Sequence, residues 1–351
     1  MANLLITGGT GVLGSNILCY LLRYSKDKLF LLARGDRNDI QEKISNLTNA
    51  QSLRRVEIIN GDIIYKNLGI EKNVIHSLFK KIDQVYHCAA ITGFRLPLKN
   101  ARLVNVSGTR NVMDFAKNCR KLNKVHYIST TFLLGNRKHV LRERDLDIGQ
   151  GFNNSYEESK FEAEVLVNRY RKYGLNVYIY RPSIIVGHSK TGRIANFKLF
   201  FETLKLFSVG IYKKIPVDLK VEHNLIPVDI AARAICIISQ RESKGETYHI
   251  INKENILCFD FMEAAARYFG YENPRWVSPE KFSFSEFTPV QHHLIAPFLP
   301  YFQYRGGFAA ERTCEILEKY NFVQPAPRVD FFNKMFEYCE KVGFIKRKIY
   351  A

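Results

Sequence analysis

Tyr156-Glu157-Glu158-Ser159-Lys160 sets a phenol and an amine four residues apart. On a helix this spacing puts both on one face. A cation beside a phenol lowers the phenol's pKa from about 10, which makes tyrosine a usable proton donor and acceptor near neutral pH. Taken alone, the pattern also describes an ordinary surface pair. Its surroundings give it more weight. Ile128-Ser129-Thr130-Thr131 closes an apolar run upstream and brings hydroxyls that could hold a substrate oxygen. Near the start of the chain, Thr7-Gly8-Gly9-Thr10-Gly11-Val12-Leu13-Gly14 joins an apolar run to an apolar-periodic stretch.

That glycine turn lies between a strand and a helix, the context in which a G-x-x-G-x-x-G spacing binds a dinucleotide. Gly8 would permit the tight turn, Gly11 would let a pyrophosphate reach the backbone, and Gly14 would let helix and strand pack closely. Free N–H groups at the helix start would face the phosphates. Thr7, Thr10, Val12 and Leu13 complete the candidate loop. A glycine turn with no ligand is the plain alternative. The next strand ends Leu31-Leu32-Ala33-Arg34-Gly35-Asp36-Arg37. An NAD site normally offers an acid at the position held here by Ala33. Arg34 follows it, and an arginine fork suits a phosphate dianion. The reading favours NADP(H) over NAD(H), with Arg34 and Arg37 as cofactor residues and Asp36 as the argument against.

The elements that would position these groups alternate. Apolar runs at 3–7, 28–33, 56–59, 84–88, 125–129 and 177–180 read as strands, and helical spacing appears over 12–24, 104–119 and 156–173. Strands alternating with helices predict an α/β chain, a Rossmann-type doubly wound parallel sheet. The rhythm changes after Gly187. We expect a dinucleotide-binding domain with the catalytic residues over 1–187 and a smaller C-terminal substrate-binding lobe over 188–351, with 225–251 returning to the first domain. Phe282, Phe284, Phe287, Phe298, Tyr301, Phe302 and Tyr304 are candidates for an apolar pocket in that lobe, although aromatics at this density more often form core.

The motifs together resemble an extended short-chain dehydrogenase/reductase. Those that carry the resemblance are Thr7–Gly14, Gly61-Asp62-Ile63, His87-Cys88-Ala89-Ala90, Asn105-Val106-Ser107-Gly108-Thr109, Ile128–Thr130, Tyr156 with Lys160, and Tyr180-Arg181-Pro182-Ser183. They stand in the family's order over about residues 1–250. Leu31-Leu32-Ala33-Arg34, Asn67-Leu68-Gly69-Ile70, the run Arg181–Gly192 and Ile226-Pro227-Val228-Asp229 resemble the thioester reductase and fatty acyl-CoA reductase branch. Two departures stand out: Cys88 replaces an Asn, and Ser183 replaces a Gly.

The resemblance implies NADPH-dependent reduction of an acyl thioester, carried by CoA or by an acyl or peptidyl carrier protein, to an aldehyde or alcohol. It implies that Thr130 holds the carbonyl, Tyr156 donates a proton and Lys160 binds the nicotinamide ribose. Asp62 and Ile63 would meet the adenine. Ala89 and Ala90 would line the cofactor cleft, Asn105 would brace the active-site strand, and Pro182, Ser183 and Ile184 would flank the nicotinamide. A sugar-nucleotide epimerase or dehydratase, a ketone or aldehyde reductase, and a non-catalytic NADP-binding regulator are the alternatives. With no adenylation or carrier segment in the sequence, the enzyme is expected to act in trans, as a monomer or homodimer.

The 351 residues carry 52 Lys+Arg against 34 Asp+Glu, a net charge of +18. Clusters such as Arg120-Lys121 with Lys124, Lys213-Lys214 and Lys346-Arg347-Lys348 would attract a polyanion. Nucleic acid, an anionic membrane, an acidic carrier protein or a phosphorylated substrate would all fit, and no nucleic-acid motif is present. No apolar run reaches the ~18–20 residues of a membrane span, and no signal peptide is recognisable at the start. The seven cysteines contain no C-x-x-C pair, so reduced thiols in a cytoplasmic location are expected, with no metal site; His292-His293 has no partner at ligand spacing.

Overall fold

Seven strands form the central sheet of the computed structural model, which describes residues 1–47, 49–212, 214–216, 218, 220–303, 306–324 and 329–348. They are β1 (Asn3–Thr7), β2 (Lys28–Ala33), β3 (Val56–Asn60), β4 (Gln84–His87), β5 (Lys124–Ile128), β6 (Val177–Pro182) and β7 (Thr247–Ile250). Their order is β7-β6-β5-β4-β1-β2-β3, and every neighbouring pair is parallel. The order reverses between β1 and β4. In an open parallel sheet, the crevice beyond the strand ends at such a point is where ligands bind.

Alternation along the strands supplies both faces. Leu4, Ile6, Leu29, Leu31, Tyr86, Tyr178, Tyr180 and Tyr248 share a core with helices α1 (Val12–Tyr24) and α6 (Val228–Arg241). Leu5, Phe30, Leu32, Val85, Val125, Tyr127, Val177 and Ile179 share the other core with α2 (Lys72–Lys81), α3 (Thr109–Asn118) and α4 (Ser155–Lys172). Helix α1 shows why the sequence folds this way. Its buried Leu13, Ile17, Leu18, Leu21 and Leu22 form one stripe, and burying each leucine or isoleucine contributes about 1.5–3 kcal/mol.

The third core belongs to the C-terminal lobe. Helices α5 (Phe200–Ser208), α7 (Cys258–Phe269) and α8 (Val329–Lys341) surround Phe201, Leu204, Phe261, Phe269, Met335 and Phe336. The chain does not stay in this lobe once it has entered. After α5 it returns to the sheet as α6 and β7, then leaves again for α7.

Two expectations are corrected here. The helix over 104–119 is interrupted by a π-helical turn at Leu103–Gly108. Asn105 in that turn is pulled inward by hydrogen bonds to Ile91 and Ser159, and such turns often mark functional sites. Lys124 is not a surface cation. Its buried ammonium donates to Ser239 O at 2.7 Å and Glu242 O at 2.6 Å, closing the C-terminal end of α6. Lys213 lies outside the described residues. No helix among the described residues is long and apolar enough to cross a membrane.

Candidate active site

At the end of β1 the chain turns at Gly8, with φ +69°. A Cβ there would lie 2.6 Å from Ala89 N, so only glycine fits between β1 and the segment after β4. A Cβ at Gly14 would sit 2.2 Å from Gly8 O. Gly11 N donates to Gly8 O at 2.9 Å and closes the turn. Gly11 then caps α1 with no side-chain acceptor, and no acidic residue follows in the first turn. The free N–H groups make this end of the helix electropositive. This narrow, side-chain-free cradle fits a dinucleotide's pyrophosphate.

Beyond β2, the Arg34 side chain is 74% exposed, with Nη1 3.5 Å from Asp62 Oδ2. Asp36, the residue that argued for NAD, is occupied elsewhere: it caps the helix Arg37–Ser45, accepting from Asn38 N at 2.7 Å and Asp39 N at 3.3 Å. Arg37 is exposed in that helix's first turn. Asp62 accepts from Ile64 N at 3.1 Å. Ile63 is buried against Gly108, where an added Cβ would meet Ile63 Cδ1 at 2.7 Å.

One cleft of about 400 Å3 unites the site. Thr10, Gly11, Val12, Leu13 and Gly14 line one end, and Ala90, Thr130, Tyr156, Lys160, Pro182, Ser183 and Ile184 line the middle. Thr7, Gly8, Arg34, Arg37, Asp62, Ile63, Ala89 and Asn105 are not part of its wall. For Asn105 the reason is plain: its amide is committed to Ile91 N, Ile91 O and Ser159 Oγ. It braces the segment after β4 against α4 and has no free group for a cofactor.

Thr130 caps the turn after β5, accepting from Phe132 N at 3.2 Å. Its hydroxyl also lies near the Tyr156 phenol and favours the phenol's ionised form. Lys160 is buried and donates to Tyr127 Oη at 2.8 Å and Ile128 O at 2.7 Å. The expected lowering of the Tyr156 pKa is not present in this structure. Burial pushes the phenol up to about 12, outweighing the lowering influence of the Thr130 hydroxyl. Burial also pulls Lys160 down to about 7, which Glu164 opposes. A half-charged ammonium committed to Tyr127 and Ile128 exerts little pull on its neighbour. Tyr156 is thus held protonated, the form a proton donor needs.

Sequence reasoning missed the groups that hold this arrangement. Glu164, one turn beyond Lys160, accepts from Arg181 Nε at 3.0 Å, from Arg181 Nη2 at 2.5 Å and from Ser129 Oγ. Glu164 and Arg181 are both fully buried. A glutamate four residues after Lys160 on an inward face was the available signal. Ser129 Oγ therefore points at Glu164, and Thr131 Oγ1 is buried with no partner; Ser129 and Thr130 both line the cleft, while Thr131 does not. Ser183 donates to Asn224 Oδ1 at 2.7 Å.

The far end of the cleft is apolar. Leu199, Phe200, Leu204, Phe261 and Met262 come from α5, its approach and α7, none of them singled out by sequence. Of the predicted aromatics, Phe298, Tyr301 and Phe302 line the cleft. Phe282, Phe284 and Phe287 do not; their rings pack on one another at 5.0–5.9 Å. Tyr304 lies outside the described residues. Tyr301 stacks on Phe94 at 5.0 Å and is fixed by Asn154, which donates to it, and Glu157, which accepts from it.

Residues 6–235 match the family described as male sterility protein, an NAD-binding domain. The chain belongs to this family. It is 26% identical to a linear gramicidin synthase polypeptide of Brevibacillus parabrevis over 97% of this chain and 7% of that protein. It is 26% identical to fatty acyl-CoA reductase wat of Drosophila melanogaster over 66% of this chain and 52% of that one. The chain thus spans from a small part to about half of these relatives' lengths. Among solved structures, the terminal R domain from the myxalamid PKS-NRPS biosynthetic pathway superposes with a TM-score of 0.87 at 27% identity, covering 99% of this chain and 93% of that one. The chain is a reductase-family member of the extended short-chain dehydrogenase/reductase type, with a Rossmann-like sheet and a nicotinamide-cofactor domain.

Proposed function

We propose that this chain is an NADPH-dependent reductase of acyl thioesters. The observation that carries the reading is the single cleft: a phosphate cradle at one end, Thr130, Tyr156 and Lys160 at the centre, and apolar lobe side chains at the other. The Gly8–Gly14 turn, Lys160, Pro182 and Ser183 would hold the cofactor, with Arg34 at the 2′-phosphate. When bound, NADPH supplies the hydride. Thr130 and Tyr156 then donate hydrogen bonds to the carbonyl oxygen, and Tyr156 gives its proton as charge develops there. For a thioester the first product is a hemithioacetal, which collapses to thiol and aldehyde.

The apolar walls suit a hydrocarbon or aromatic acyl group. The net charge of +18 suits the phosphates of CoA or phosphopantetheine and the surface of an acidic carrier protein. Turnover on a carrier-linked substrate should then fall sharply from low to moderate salt.

The test is NADPH consumption by the purified protein with acyl-CoA, acyl-pantetheine, matching aldehydes and nucleotide sugars, beside Tyr156→Phe. Thioester-dependent consumption that drops by roughly 10²–10⁴ in the variant is the expected result. Consumption with aldehydes alone would make it a carbonyl reductase. Conversion of a nucleotide sugar without net NADPH consumption would make it an epimerase.

A further inference from the structure

Behind Lys160 runs a chain of buried polar side chains that the proposed chemistry leaves unused. Thr7, His87, Thr109 and Tyr127 are all at most 1% exposed, and none lines the cleft. Their proton positions can be worked out from one end. Thr109 Oγ1 donates to Asn105 O at 2.5 Å. A hydroxyl has one hydrogen, so Thr109 only accepts from its other neighbours. His87 Nε2, 3.0 Å away, must therefore carry a hydrogen and donate it. His87 Nδ1 is then an acceptor for Thr7 Oγ1 at 2.8 Å, and Thr7 in turn accepts from Ala89 N at 3.3 Å. This arrangement satisfies Thr7, His87 and Thr109. Lys160 Nζ donates to Tyr127 Oη at 2.8 Å, so the phenol oxygen acts as acceptor toward the ammonium.

We propose that Tyr127 is the positioning residue of Lys160: its phenol oxygen accepts from the ammonium, aims it into the cleft and favours its charged form. An ammonium has three N–H donors. Tyr127 and Ile128 O take two, and the third is left for the cleft that Lys160 lines.

The other groups facing Lys160 cannot substitute. Tyr156, on the same helix, is pushed up to about 12 and stays neutral. From β4 and its exit, His87 is pulled down to about 3 and Cys88 is pushed up to about 12, both by burial, so neither carries charge near neutral pH. Glu164 favours the charged form, but its oxygens are already engaged by Arg181 and Ser129. The direct acceptors are Tyr127 and Ile128 O. Losing one hydrogen bond to a charged group corresponds to roughly one to two pH units.

The inference rests on the reading of Lys160 as the ribose-anchoring cation, and its test separates the two. The full chain, labelled with carbon-13 at lysine Cε, is titrated by NMR without cofactor, and the Lys160 signal is identified by its loss in Lys160→Met. Tyr127→Phe should lower the Lys160 midpoint by about one to two pH units. It should move the alkaline limb of kcat/KM by the same amount and weaken NADPH binding measured by fluorescence. An unchanged Lys160 midpoint overturns the proposal. Should Tyr127→Phe not fold, Tyr127→Met, which also removes the acceptor, should shift the midpoint the same way; an unmoved midpoint in Tyr127→Met is equally fatal. If Lys160→Met keeps full turnover, the anchoring reading fails, while the NMR midpoint still judges the role of Tyr127.

Discussion

Replacing Glu164 by leucine would expose how much of the site's order depends on one buried ion pair. Arg181 is 1% exposed and Glu164 0%. With the carboxylate gone, the guanidinium keeps His249 Nε2 at 3.2 Å, Arg142 O at 3.4 Å and Glu143 O at 3.5 Å. His249 is neutral, since burial pulls it down to about 3, so among the described residues no carboxylate remains within ion-pair distance of Arg181. Breaking a buried pair by removing one partner costs about 3–5 kcal/mol. At about 2.1 cal/mol/K per residue, 351 residues give an unfolding entropy of roughly 0.7 kcal/mol/K. Glu164→Leu should therefore lower Tm by about 4–7 °C, read by circular dichroism at pH 7. Glu164→Leu with Arg181→Met leaves no orphaned charge and should recover most of that loss, because apolar replacement of a buried pair is often neutral. The single variant should also pull Lys160 further below 7, since Glu164 is the charge that opposes burial there. A single variant within 1 °C of wild type, or a double variant no better than the single, would refute the reasoning.

Gly14→Ala should abolish cofactor binding in a fluorescence titration, because its methyl would lie 2.2 Å from Gly8 O and the turn would have to open. Arg34→Ala should raise the KM for NADPH about tenfold and leave that for NADH unchanged, the loss expected for one charge-assisted phosphate contact; equal effects on both would remove Arg34 from the 2′-phosphate. Lys160 gives a signed pH effect. Its folded pKa of about 7 lies below the unfolded ~10.4, so between these values the unfolded chain holds a proton that the folded chain lacks. Stability should rise with pH through this window, and from pH 7 to 9 the wild type should gain about 2–3 kcal/mol more than Lys160→Met in urea unfolding. An equal change in both proteins would show that Lys160 is not held in a low-dielectric site.

The sheet was legible because parallel strands covered on both faces read as apolar runs, and Leu4-Leu5-Ile6 or Val177–Tyr180 admit little else. The glycine turn was legible because sterics force its spacing. The π-helical turn was not, since Leu103–Gly108 has helical periodicity and only the side-chain partners of Asn105 distort it. Glu164 and Arg181 are polar residues whose burial depends on each other, which no one-dimensional pattern records. The lobe was hardest. Phe282 and Phe302 are equally aromatic in sequence, yet Phe302 faces the cleft and Phe282 packs on its neighbours. Helix α5 carried a usable signal, Phe201, Leu204 and Phe207 at spacings of three, which its uniformly apolar surroundings obscured.

The return of the chain from the lobe to β7 has a consequence for how such proteins can diversify. A polypeptide ending at residue 187 would lack α6, the helix that shares a core with Leu18 and Leu21 of α1 and Ile6 of β1, and would lack the strand that pairs with β6. The acyl-facing half is therefore no detachable cassette. Grafting it onto another core requires splices on both sides of Val228–Ile250, so new substrate preferences in this architecture should arise by residue changes within the lobe more readily than by wholesale exchange.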